Sequence, residues 1–214
     1  MASPSLSQTA GTARATAQTG AISFEKFAGW CALAAGVSGF LYSIAFIVLK
    51  DAGISAFFLM LGGLLATPVL LAVYERLRET DASFARWGLM LGLAAAIGSL
   101  IHGGYDLANA INPPASPNLD LPSQIDPRGM LTFGVAGIGL LVFAWLMSRT
   151  GTFPRGLAYI GYIAGVLLLW IYLGRLIILQ PTNLIIVVPA LLAGFIANPA
   201  WYIGLGLALM RGRR

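Results

Sequence analysis

The sequence predicts an all-α, polytopic integral membrane protein with six transmembrane helices and both termini on the cytoplasmic side. Three observations carry that prediction. Apolar residues make up 58% of the 214-residue chain and charged residues 10%, against roughly 45–50% and 25% in soluble domains. Six apolar runs each reach the ~20 residues that cross ~30 Å of hydrocarbon at 1.5 Å per residue. Lysine and arginine fall unequally on the segments that join those runs, which is how membrane topology is written.

Residues 1–22 come first. They are Ala, Ser, Thr, Gly and Gln with one Arg14 and no apolar periodicity, and such a stretch cannot bury enough surface to offset its ordering entropy. A disordered cytoplasmic tail is expected there, followed by one transmembrane domain over 23–214. The first apolar run comes late, is too long for the apolar region of a secretory signal and is followed by five more.

The runs lie at about 27–49, 53–75, 87–111, 129–148, 156–179 and 184–210. Lipid offers no partners to backbone N–H and C=O groups, so runs this long must be helices. Ten basic residues fall on one side: Arg14, Lys26, Arg76, Arg78, Arg86, Arg149, Arg155, Arg211, Arg213 and Arg214. The other side receives Lys50 and Arg128. The positive-inside rule therefore places both termini in the cytoplasm. Trp30, Trp87 and Trp145 fall near the cytoplasmic ends of their helices, as an interfacial aromatic belt requires.

Small residues recur through the spans, among them Gly62, Gly63, Gly134, Gly137, Gly161 and Gly165. They let helix backbones approach closely and serve either packing within the bundle or self-association through glycine-rich faces. Pro68, Pro189 and Pro199 are helix breakers inside runs. Asn198 and Pro199 in "IANPAWY" mark the clearest candidate for an interrupted helix, of the kind that lines transporter sites; a proline kink re-satisfied by its neighbours is the other reading. The longest joining segment, 112–128, carries five prolines and is expected outside the membrane.

Several function classes are excluded by composition. One Cys31 and one His102 leave no disulfide framework, zinc cluster or CxxC redox motif, and no multi-histidine metal site from this chain alone; no cofactor is indicated. The net charge of +5 invites nucleic acid, but its arginines sit in short joints between apolar runs rather than in a patch. No GxSxG, HExxH, P-loop or dinucleotide fingerprint occurs, and an enzyme is not the expected reading.

"IHGGYDLANAINPP", residues 101–114, is the one polar end of an apolar span. His102 and Asp106 are four apart and share a helix face with Ser99 and Asn109. On the fifth run Arg175 lies 20 residues beyond Arg155, ~30 Å along a helix, which brings it to the same outer depth; Tyr172 is on its face. Opposite charges at equal membrane depth are expected to pair with each other or to face a cavity. His102, Asp106, Asn109, Tyr172 and Arg175 are therefore the candidate ligand or ion pocket, with no metal assigned. The blander roles also fit: Asp106 and Arg175 can snorkel to the interface, and a neutral His102 can simply hydrogen-bond across the bundle. The function expected is binding or transport of a small molecule or ion through an outward-facing polar pocket. The alternative is a non-catalytic subunit packed on other membrane subunits. Eleven of thirteen basic residues are Arg, a codon signal that suggests a bacterial cytoplasmic membrane.

Overall fold

In a computed structural model of the chain, residues 6–114, 128–180 and 182–212 are described, with side chains from Phe24 onward. The described residues are helical or in short joints, and six helices are long and apolar enough to cross a membrane: Phe24–Leu49, Ala52–Leu77, Ala82–Ile111, Met130–Ser148, Arg155–Ile177 and Leu184–Met210. Of the tail expected to be unstructured over 1–22, the backbone from residue 6 onward is described as helix, with nothing described of its side chains, and most of the 112–128 segment lies outside the described residues.

Helix α1 (Leu6–Ser43) continues into a π-helical segment, Ile44–Leu49; α2 is Ala52–Leu77 and α3 is Ala82–Ile111. The fourth span opens with a π-helical segment, Met130–Val135, and continues as α4 (Ala136–Ser148). Helix α5 is Arg155–Ile177. The sixth span is α6 (Leu184–Leu192), a π-helical segment at Ala193–Ala197, and α7 (Asn198–Met210).

Local chemistry sets the ends. Asp51 caps α2 by accepting from Ile54 N at 2.8 Å, Asn183 caps α6 through Ile185 N at 3.0 Å, and Asp81 accepts from Ser83 N and Phe84 N at 3.2 and 3.1 Å. Such caps satisfy amides that a helix cannot satisfy itself. The Asp81 cap is why α3 starts at Ala82, five residues before the apolar run anticipated at 87. Between α1 and α2 the chain turns at Lys50, which takes the left-handed conformation (φ 54°) and donates its N–H to Ala45 O. A residue with a Cβ pays steric strain there that Gly would not, of order 1–2 kcal/mol.

The prolines do not break their helices. Pro68 has no N–H for Leu64 O, and the Thr67 hydroxyl donates to that carbonyl at 2.8 Å instead. Pro189 leaves Ile185 O without its helical donor, and the Trp170 indole of α5 supplies one at 3.1 Å. Side chains thus replace the missing bonds, as lipid-embedded proline requires. The interruption anticipated at Asn198 and Pro199 takes a milder form: the sixth span runs on without a gap, and the π-helical turn just before Pro199 absorbs the register change.

Each helix packs on its neighbours in sequence, and α7 closes the ring on α1. Close approach is set by glycine. A Cβ at Gly63 would lie 2.6 Å from Ala96 O, and one at Gly137 would lie 2.8 Å from Gly165 O, so these small positions pack helices of the same chain. The ring is filled at one end only. Val69, Leu77, Phe143, Leu146, Met147 and Leu209 are fully buried at the end that carries Arg76, Arg149 and Arg155. At the Lys50 end the ring stays open.

Candidate functional site

A cavity of about 940 Å³ occupies the open end. Its wall includes His102, Asp106 and Asn109 from α3, Tyr172 and Arg175 from α5, and Asn198 from the head of α7. All five residues derived from the helical-face argument thus meet in one chamber, and so does one of the two at the anticipated helix break. Each of the three π-helical segments also contributes to the wall, through Phe46 and Ile47, Phe133, and Ala193 and Gly194. A π turn rotates the side chains that follow it off the regular helical stripe, and such turns concentrate at functional sites.

Asp106 and Arg175 are not an ion pair. Asp106 Oδ1 accepts instead from Arg128 Nη1 at 2.9 Å, and its Oδ2 lies 3.4 Å from His102 Nε2. Arg128 also donates to His102 O at 3.4 Å, and its guanidinium stands over the Tyr105 ring at 4.5 Å. The arginine precedes the fourth span, so only the 112–128 segment separates it in the chain from the last two turns of α3. Arg175 forms no ion pair among the described residues and remains a cavity cation, exposed at the mouth.

His102 joins two elements. Its Nδ1 is 3.1 Å from Thr132 Oγ1, and that hydroxyl is also 3.1 Å from Arg128 O. Thr132 has one proton to give. With a neutral imidazole carrying its proton on Nε2 toward Asp106, the hydroxyl donates to Nδ1. With an imidazolium, Nδ1 donates and the hydroxyl turns to Arg128 O. Protonation of His102 would thus reverse the donor in its contact with Thr132.

A smaller chamber of about 160 Å³ lies deeper. It shares Tyr42, Leu59, Phe133, Leu168 and Asn198 with the large cavity and ends among Trp201 and Leu205 of the filled core. Below it is a buried charge. Arg76, its side chain 1% exposed, forms a two-pronged pair with Glu25 at 3.3 and 3.2 Å. It also donates to Ala208 O and Leu209 O, both at 3.2 Å, and lies over the Phe153 ring. One guanidinium thus ties α1, α2, α7 and the α4–α5 joint together at the closed end.

Charge counting treated Arg76 and Arg128 only as topology markers and passed over Thr132 and Tyr42. A signal for two of them was present: Arg128 and Thr132 are four apart at the head of a span. Arg76 gave no comparable cue, because its partners come from α1 and from α7 carbonyls. Among the described residues no cluster of three His, Cys, Asp or Glu side chains could hold a metal ion. No protein-family model, curated protein or solved structure matches the chain.

Proposed function

We propose that this small multi-pass membrane protein binds or transports a small molecule or ion through the cavity at its Lys50 end, where His102, Asp106, Asn109, Tyr172 and Arg175 supply the polar groups, and that this end faces outward with both termini in the cytoplasm. The observation that carries the reading is convergence. His102, Asp106, Asn109, Tyr172 and Arg175, from helices α3 and α5 with the whole fourth span between them in the chain, line one cavity whose volume is typical of small-molecule sites, ~300–1,000 Å³. Support also comes from the asymmetry of the ring, packed and clasped by Arg76 at one end and hollow at the other. The charge bias supports the orientation, and a bacterial cytoplasmic membrane is the setting that the composition favours.

An accessory subunit, the competing role, has no need of an open chamber. Purification of the chain alone in dodecyl maltoside separates the two. A monodisperse folded species without other subunits is expected. Aggregation of the isolated chain together with stoichiometric co-purification of other membrane chains would overturn the reading.

A further inference from the structure

Resting on that cavity reading, we infer that the ligand is an anionic amphiphile, its acidic head held between Lys50 and Arg175 and its apolar body inside the chamber. Three charged groups near the mouth, Asp51, Asp106 and Arg128, are already engaged. Asp51 accepts from Ile54 N as the cap of α2, and Asp106 is neutralised by Arg128 at 2.9 Å. Lys50, from the α1–α2 turn, and Arg175, from the end of α5, line the same cavity with no ion pair among the described residues. Among the described residues the mouth is therefore net positive, with Lys50, Arg128 and Arg175 against Asp51 and Asp106. Behind it the wall is mostly hydrocarbon, with Ile47, Leu59, Phe133, Leu168, Ile171 and Ile186. A polar metabolite would leave these groups poorly matched, whereas an alkyl or acyl chain removes them from water.

The conformation of Lys50 adds an independent observation. It stands at φ 54°, where Gly is the unstrained residue. A cation thus stands on the cavity wall at a position where backbone sterics oppose any side chain, and backbone strain of this kind concentrates at ligand clamps.

The test uses full-length protein in phosphatidylcholine nanodiscs and radiolabelled decane-1-sulfonate, a single-chain anion whose charge does not vary with pH. Saturable binding above that of empty nanodiscs is expected, with decanol and decyltrimethylammonium competing at least about tenfold more weakly, since each lacks the charge the mouth complements. Lys50→Gly should weaken binding by about fivefold or more while the melting temperature holds or rises, because the charge is lost and the strain relieved. Arg175→Gln should weaken it similarly. Equal competition by all three probes, or unchanged affinity in both variants, would overturn the anionic assignment and leave the cavity reading standing. Absence of saturable binding by all three would overturn the cavity reading itself. Adding phosphatidylglycerol identifies the source: displacement of the sulfonate points to a bilayer phospholipid head, and undisturbed binding points to a free single-chain amphiphile, either of which upholds the class.

Discussion

Arg128 Nη1 donates to Asp106 Oδ1 at 2.9 Å, so the acid at the end of α3 is held by the arginine that opens the fourth span and not by the one at the end of α5. The Asp106 side chain is 38% exposed and that of Arg128 26%, which limits the pair to about 1 kcal/mol after solvent screening. Asp106→Asn and Arg128→Gln should each lower the melting temperature in detergent modestly, and the double variant should lose less than the sum. Coupling should shrink at high salt. Strict additivity in the cycle would show that the pair contributes nothing. A second cycle with Arg175→Gln in place of Arg128→Gln should be close to additive.

The Arg76 clasp belongs to a different energetic class. Its guanidinium is buried and satisfied by Glu25 and two carbonyls. Removing one partner of a buried pair costs ~3–5 kcal/mol, so Arg76→Gln should destabilise the protein severely. Arg76→Lys should rescue little, since an ammonium cannot reproduce a fork that serves a carboxylate and two carbonyls together. Thermal melts of both variants check this, and a melt close to wild type for either would contradict the clasp.

Helix packing supplies a sterically defined pair. A Cβ at Gly103 would stand 2.6 Å from both Ala56 O and Met60 N, which are backbone atoms and cannot swing away, whereas one at Gly156 meets nothing within 4 Å. Gly103→Ala should cost ~1–3 kcal/mol through forced separation of α2 and α3. Gly156→Ala, at the first turn of α5, should be neutral or slightly stabilising.

Protonation offers a further handle. Imidazoles titrate between pH 5 and 8 more often than any other side chain, and His102 faces Asp106 on its own helix, with Arg128 and Thr132 opposite. Lys50, Asp51, Tyr42, Tyr172 and Arg175 complete the titratable or charged groups on the described cavity wall. Adding a proton to His102 makes the chamber more positive, so decane-1-sulfonate should bind more tightly as pH falls through that range. His102→Gln should flatten the profile. A profile unchanged in that variant would remove His102 from the site.

Much of this was legible in the chain, and the pattern of what was legible has a physical cause. Span existence follows from run length and charge, because lipid leaves an apolar run no alternative to helix; five of the six observed starts fall within three residues of the apolar runs, and the third departs because Asp81 caps a turn that is not apolar. The polar stripe His102–Asp106–Asn109 follows from helical period alone. Partner choice does not. Asp106 is 22 residues from Arg128 and 69 from Arg175 in the chain, and depth along the membrane normal matches both; only the order of helices around the ring decides between them. The π-helical segments were equally hidden, since neither Ile44–Leu49 nor Met130–Val135 contains a proline.

Orientation is checked by impermeant thiol labelling in a background with Cys31 replaced. Asp120→Cys, in the 112–128 segment, should react in intact cells or spheroplasts, and Thr80→Cys, in the α2–α3 turn, should not. The reverse pattern would invert the topology.

The most direct measurement compares two cysteines at nearly the same depth on α6. Ala190 lines the cavity, whereas Val188, 49% exposed, faces away from it toward lipid. A charged, water-soluble methanethiosulfonate reagent requires hydrated thiolate, so Ala190→Cys should react from the Lys50 side at a measurable rate and Val188→Cys should remain inert. Equal protection of both, or faster reaction at 188, would mean that the chamber holds no water and that the polar end of α3 is only where this helix meets the membrane surface.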